Sequence, residues 1–553
     1  MVMQLAALVL TRALDVLFTP IPDCDEVFNY YEPLNFLLRG FGKRTWEYSP
    51  EYAIRSWAYL VPYAVSSWAL PLITDRLKLL PPYATFYFLR CVVVSFSVYA
   101  EYHMFTSLRR HSASLANWYL LMSTVSTGMA HASVALLPSA WAMNCCLLAS
   151  SNFVRWLYTR SNRNALLISS WFFIGAIFGW PFVGVLGLPP LVYIATVQWN
   201  TPKLSQYVKW SVAIGFIYLA ASMEVDFFFY GKTLVVPLNI VLYNVIYADE
   251  TSGPNIFGVE PVSYYINNIL LNFNTVAVLA AVSPALIAAS AIITKRTVYL
   301  GFLAGITLPL VLWCWIFFLQ PHKEERFLYP VYGLINASGA FSLSCVLTSM
   351  KTALHALFKR RVVKVLYRVV VVGVTALLLV VSTLRNVAFV VNYGAPLTTY
   401  REIPADATGN LCLTREWYRF PSSFFLPDTL RLRFVKSEFN GLLPGDFNEE
   451  QWLLQSVQEE PQGMNNKNLY DEGKVIDISH CDYAIDIDQG VSPEEYSFTN
   501  SSEWQLLFSS PFLNNEESSG VGKYLWLPTS LHGETQTHLV HHGYNLYKRI
   551  TTE

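Results

Sequence analysis

The chain has 553 residues, 53% of them hydrophobic, 15% aromatic and 14% charged, with a formal net charge of −1. Soluble domains carry about 25% charged residues, so a soluble fold throughout is excluded, and the balanced charge speaks against nucleic acid or a polyanionic surface as partner. The charge is also segregated: residues 1–392 run from one apolar block to the next, while most Asp and Glu lie beyond residue 400. The pattern predicts an all-α polytopic membrane domain over 1–392 and a hydrophilic α+β C-terminal domain over 393–553.

Met1–Phe18 lacks a basic n-region and a small-residue cleavage site, and reads as an uncleaved first span. "IPDCDEVFNYYEP" (Ile21–Pro33) follows, with Asp23, Asp25, Glu26 and Glu32 crowded among aromatics at the start of a long first loop, 20–82. A spanning helix needs about 20 apolar residues. Candidate spans are 1–19, 84–107, 113–131, 135–158, 165–179, 182–198, 208–229, 264–293, 298–319, 327–349 and 369–391. Pro and Gly in "GWPFVGVLGLPPL" (179–191) divide what is otherwise one very long run. The run 53–72, with Arg55, Pro62 and Pro71, is ambiguous by hydropathy alone. If it lies at the interface, basic clusters at Arg109/Arg110, Arg155–Arg163, Lys203/Lys209, Lys295/Arg296 and Lys351–Arg368 all face the cytosol. About eleven spans result, with a cytosolic N-terminus and the C-terminal domain on the opposite face. Four non-cytosolic pieces then converge: 20–82, "HASVALLPSA" (131–140), 231–261 and "QPHKEERFLYP" (320–330).

"HKEERF" places five ionisable groups between apolar spans. Charge at membrane depth costs about 2.5–3.5 kcal/mol per residue on insertion scales, so such groups are functional candidates. Lys323 and Arg326 suit a lipid phosphate, His322 can donate to it or protonate it, and Glu324 and Glu325 can orient the cations. For Asp23, Asp25 and Glu26 three readings stay open: a solvated loop, a divalent-metal site, or a general base beside a supporting carboxylate. "TWEYSPEYAIRSW" (Thr45–Trp57) joins Trp46, Glu47, Tyr48, Glu51 and Arg55, a composition that suits either a sugar or an interfacial aromatic belt. His131 sits at a span end beside the other loops, where a histidine is structural or catalytic. Cys412 and Cys481, alone among the cysteines in the C-terminal domain, are a candidate disulfide. No CxxC or Cys/His metal spacing occurs. Asn500-Ser501-Ser502 is a glycosylation sequon consistent with a lumenal or extracellular face.

The strings "DCDEVFNYYEPLNFLLRGFGKRTWEYSPEYAIRSWAYL", "HASVALLPSA", "SGPNIFGVEP", "HKEERFLYPVYGLI", "TREWYRFPSSFFLPD" and "GLLPGDF…GMNNKNLYD" resemble the dolichyl-phosphate-mannose-dependent α-1,2-mannosyltransferases of N-glycan precursor assembly, fungal members of glycosyltransferase family 22. The resemblance covers nearly the whole chain. It implies a C-type glycosyltransferase fold in the endoplasmic reticulum membrane with a lumenal active site. It further implies mannose transfer with inversion from dolichyl phosphate β-mannose to dolichyl-diphosphate-linked oligosaccharide, at the seventh and ninth mannoses. The family's catalytic acid maps onto Asp25, with Glu26 beside it, and its phosphate signature onto His322, Lys323, Glu324 and Arg326. No cofactor is expected, because basic side chains are available to a monophosphate leaving group. A mannosyltransferase of glycosylphosphatidylinositol anchors is the nearest alternative reading, and a lipid or solute transporter the more remote one.

Overall fold

The apolar blocks fold as helices around one hub, Pro138–Thr159, most of whose residues are buried. The structure, a computed structural model, describes residues 2–249, 251–490, 495–499 and 501–550. The sequon residue Asn500 lies outside them. Against the hub pack Ala84–Arg109 and the buried half of Tyr329–Leu357. The approach is close enough to require glycine. A Cβ on Gly333 would stand 2.5 Å from Leu147, and one on Gly305 would overlap Phe153.

Among the described residues six helices are long and apolar enough to cross a bilayer: Ala84–Arg109, Pro202–Tyr230, Thr275–Ile293, Thr297–Leu319, Glu325–Leu357 and Arg360–Tyr393. Of the remaining expected spans, 135–158 forms the uninterrupted helix Pro138–Thr159, and the others are helical but shorter or interrupted. Residues 264–293 do not form one helix. Asn274, at φ 43° and ψ −122°, separates Val262–Phe273 from Thr275–Thr294, and its side chain accepts from the Thr275 N–H at 2.7 Å. Residues 113–131 break at Ser126, and 182–198 begin as a 3₁₀ turn, Pro181–Gly187. The ambiguous run 53–72 forms the helix Trp57–Ser67, whose 11 residues are too few to span.

The first helix, Val2–Phe18, hides charge that its apolar composition masks. Arg12 is fully buried, donating to both Glu101 oxygens at 2.9 and 2.8 Å and to Asp15 at 2.7 Å. A buried ion pair contributes through geometry more than net energy, and here it fixes Val2–Phe18 against Ala84–Arg109.

The strands are β1 Lys43–Arg44, β2 Gly409–Leu413, β3 Leu430–Phe434, β4 Gly445–Asp446, β5 Tyr483–Ile487, β6 Trp504–Leu513 and β7 His541–Arg549. Five of them form a mixed sheet in the order β3-β2-β5-β7-β6, with β2 parallel to β3 and β5 and the rest antiparallel. Leu411, Leu413 and Ile485 face the core. Cys412 and Cys481 are bridged across this sheet, with Cα atoms 5.8 Å apart. Closing a 69-residue separation contributes roughly 4 kcal/mol on the loop-entropy account.

The C-terminal part clasps the first loop. β1 pairs antiparallel with β4. Glu32, fully buried, accepts from the N–H of Ser423 at 2.6 Å, its hydroxyl at 2.8 Å and the N–H of Lys43 at 3.0 Å. Arg39 donates to Asp428 at 2.6 Å and to the carbonyls of Ser423 and Leu426, each at 2.9 Å. Glu32→Ala leaves two buried N–H groups without acceptors, an expected loss of about 2–5 kcal/mol. A lower thermal midpoint and faster proteolysis beyond residue 400 check it; an unchanged midpoint refutes the clasp.

Candidate functional site

Asp23 caps the turn Cys24–Glu26, its carboxylate accepting from the Asp25 N–H at 2.9 Å. The chain continues through a π-type turn, Val27–Tyr31, into Glu32–Arg39, and Gly40 ends it in the left-handed region at φ 84°. Such turns insert an extra residue into a helix and often occur at functional sites. The cap and the turn fix the direction in which Asp25 and Glu26 project.

The second half of the site is the hairpin before Tyr329–Leu357. Arg326 Nη2 lies 2.6 Å from Asp25 Oδ2, Arg326 Nη1 lies 3.2 Å from Asp23 Oδ1, and Nε contacts Glu324. Arg55 stands on the other side of Asp25, 3.8 Å away, and is itself held by Glu47 at 2.7 Å. His322 lies 2.7 Å from the Gly258 carbonyl through Nδ1 and 3.0 Å from Glu324 through Nε2. With acceptors on both ring nitrogens, the imidazolium is the favoured form.

These contacts set the proton affinities. Burial opposes ionisation of Asp25, but Arg326 and Arg55 outweigh it and hold its carboxyl below the usual range. Asp23 is pushed up to about 7, by burial and by the Asp25 and Glu324 charges, against the pull of Arg326. Burial also lifts Glu26 to about 7, opposed by Arg90 and the Leu136 N–H. At His322 burial lowers the affinity, but hydrogen bonding and charge from Glu324 raise it further, for a net increase.

A cavity of about 830 Å³ opens over this cluster. Asp25, Trp46, Glu47, Arg55, His322, Glu324 and Arg326 line it. One side is apolar: Trp180 meets Phe182, Phe317 and Phe327, each at 5.4 Å between ring centroids. The other carries Thr45, Asn244, Asn255 and Asn468 beside Trp46, Tyr243 and Trp417. Trp417 and Asn468 come from the C-terminal strings "TREWYRF" and "GMNNKNLYD".

Several sequence-stretch residues stand behind the cavity. Lys323, read from sequence as a phosphate ligand, is 6% exposed and donates to the carbonyls of Glu260, at 2.7 Å, and Gln320. It is absent from the cavity lining and pins the 254–261 loop instead. Glu26 is 1% exposed and accepts from the Leu136 N–H at 2.9 Å, joining the first loop to 131–140. Tyr48 is fully buried, donating to the Asn29 carbonyl at 2.8 Å. His131 meets Glu325 at 2.6 Å, and Glu325 also accepts from Asn272 at 2.8 Å and Tyr332 at 3.1 Å. That network braces the hairpin from below. Arg55 had no assigned role in the sequence reading, and Trp180, Tyr243 and Asn244 were not singled out there. The Pro/Gly bend at 179–191 was the available signal for Trp180.

The model of the Alg9-like mannosyltransferase family matches residues 3–427. The chain is 38% identical over 539 residues to the α-1,2-mannosyltransferase ALG9 of Saccharomyces cerevisiae, covering 95% of this chain and 92% of that one. It is 35% identical to the human α-1,2-mannosyltransferase ALG9, covering 94% and 84%. Likeness to a bovine GPI α-1,2-mannosyltransferase 3 extends over 30% of the chain. In structure it resembles crystalline ArnT from Cupriavidus metallidurans, bound there to undecaprenyl phosphate, with a TM-score of 0.50 at 10% identity over 78% of this chain and 85% of that one.

Lys323→Met leaves the Glu260 and Gln320 carbonyls unsatisfied, with an expected loss of about 1–3 kcal/mol of stability. Thermal unfolding in detergent reads it; an unaltered midpoint would show that the ammonium is not holding the loop.

Proposed function

Because the chain belongs to the Alg9-like mannosyltransferase family, we propose that its cavity is the centre where mannose passes from a lipid phosphate to a lipid-linked glycan. The protein is an α-1,2-mannosyltransferase of N-glycan precursor assembly, a membrane enzyme. The reading proposed here adds dolichyl phosphate β-mannose as donor, dolichyl-diphosphate oligosaccharide as acceptor at its seventh and ninth mannoses, and a lumenal site in the endoplasmic reticulum membrane.

The observation that carries the mechanism is the single guanidinium shared by Asp25, Asp23 and Glu324. The acceptor 2-hydroxyl oxygen attacks the anomeric carbon as the bond from that carbon to the phosphate oxygen breaks. The hydroxyl proton passes to Asp25 and the departing phosphate takes the electron pair. Attack from the face opposite the phosphate inverts the centre. A donor phosphate competes with Asp25 for Arg326, and on winning it returns Asp25 toward ordinary carboxylate basicity. Arg326 and His322 then stabilise the leaving group. Lys323, held on backbone carbonyls, takes no part.

The cavity's two sides match the two substrates. The aromatic side around Trp180 suits the donor's lipid end. The asparagines and the Trp46, Tyr243 and Trp417 rings suit acceptor sugars, whose CH faces stack on aromatics while hydroxyls bond amides.

Asp23, Cys24 and Asp25 present atoms within 4.8 Å of one another that a cation can use. Arg326 already supplies positive charge to both carboxylates, so in this reading transfer needs no dissociable metal.

In Asp25→Asn the expected loss of single-turnover transfer from purified donor is about 10²–10⁴-fold, in a protein that still folds. Retained turnover removes Asp25 as base. A parallel arm with chelator leaves the wild-type rate unchanged; loss of activity there restores the metal reading.

As pH rises through neutrality, His322 loses its proton above its ordinary range and Asp23, at about 7, gains negative charge. Both changes remove positive charge from around the phosphate. Donor KM is therefore expected to rise with pH, and Asp23→Asn with His322→Gln flattens that dependence. A pH-independent donor KM in the wild type contradicts the assignment.

A further inference from the structure

Away from the active cavity, a second concavity of about 220 Å³ opens where the first and last long helices end beside β6. Leu17 and Phe18 of Val2–Phe18 and Val391 of Arg360–Tyr393 form its outer wall. They are 46%, 50% and 50% exposed, so this wall is apolar and open to the surroundings. Thr398 and Arg401, from the helix Ala395–Arg401, and Ser510 of β6 form the inner wall.

Arg401 is incompletely satisfied. Its Nη2 donates to the Tyr87 hydroxyl and, at 3.4 Å, to the Leu17 carbonyl. Its Nε is buried without a hydrogen-bond partner, and among the described residues no carboxylate pairs with the guanidinium. Arginines nearby in the C-terminal part are paired: Arg415 with Asp486, Arg419 with Glu416 and Arg431 with Glu449. Among the described residues this cation, stacked 4.9 Å from the Tyr87 ring centroid, has no carboxylate partner and lies in a niche whose other wall is apolar.

We propose that this niche binds the phosphate of a membrane phospholipid. The phosphate oxygens accept from Arg401, and an acyl chain lies along Leu17, Phe18 and Val391. Tyr87 and Tyr393, at neighbouring helix ends, belong at the headgroup level, where aromatic rings concentrate. The lipid bridges three pieces distant in sequence: the first helix, the last helix and the C-terminal sheet. A free anion would gain the charge contact alone and none of the apolar wall, so the membrane lipid is the committed occupant.

The test uses the full chain, purified in detergent and stripped of lipid, then read by native mass spectrometry. It is incubated in turn with dioleoyl phosphatidylcholine, dioleoylglycerol and inorganic phosphate. The wild type is expected to retain one more phosphatidylcholine than Arg401→Gln, whose retention is about tenfold weaker. Val391→Trp fills the apolar side without touching the guanidinium, and it loses the same lipid. Equal retention in the wild type and both variants overturns the proposal. So does dioleoylglycerol held as tightly as phosphatidylcholine, since the phosphate would then be irrelevant, or inorganic phosphate displacing the lipid completely.

Discussion

A single guanidinium, that of Arg326, holds carboxylates from two segments about three hundred residues apart. Asp23 and Asp25 reach it from the first loop and Glu324 from its own hairpin. Asp23 titrates around neutrality, and beside it Asp25, Glu324 and Glu47 face Arg326, Arg55 and His322. Three negative groups meet three positive ones, so the cluster is close to neutral. Charge balance of this kind offsets part of the desolvation penalty of placing ionised groups in a poorly solvated cavity. It also makes the cluster responsive: a further anion upsets the balance, and the cations redistribute around it.

Most of the surrounding architecture serves to keep that cluster in register. His322 and Lys323 secure the 254–261 loop, Glu26 secures 131–140, and the His131–Glu325 network supports the hairpin. Each is a buried polar contact between segments remote in sequence, and each is expensive to leave half made. The C-terminal part acts similarly, through loops that hold Glu32 and Arg39 and through the β1–β4 pair, while lending Trp417 and Asn468 to the cavity wall. Residues beyond 392 are thus joined to the first loop through buried polar contacts and a strand pair.

The apolar blocks and the meeting of residues 23–26 with 322–326 were legible in the sequence, because hydropathy and loop charge register directly in composition. Side-chain direction was not. Asp25 and Glu26 are neighbours with the same functional group, yet one lines the cavity and the other is sealed against Leu136, a difference set by the turn after Asp23. Lys323 and Arg326 are likewise equivalent as charges along the string. The three-residue offset and the backbone carbonyls within reach of the shorter-headed lysine send them to opposite sides of the hairpin. Arg12, Asp15 and Glu101 were passed over for another reason. Hydropathy averages over a window, and one or two charges inside a long apolar run lower the mean too little to stand out. The break at Asn274 was missed because the one proline of that run, Pro284, lies inside the continuous helix Thr275–Thr294, while the chain turns at an asparagine.

The pairing of Lys43 and Arg44 with Asp446 and Gly445 has a consequence in time. A ribosome delivers residues 43–44 long before their partners, and the clasp around Glu32 waits equally on Ser423. The nascent polypeptide therefore carries Asp25 through most of translation without the C-terminal contacts that close over the first loop. Until the chain has passed residue 468, the cavity over Asp25 lacks the part of its wall that Trp417 and Asn468 supply.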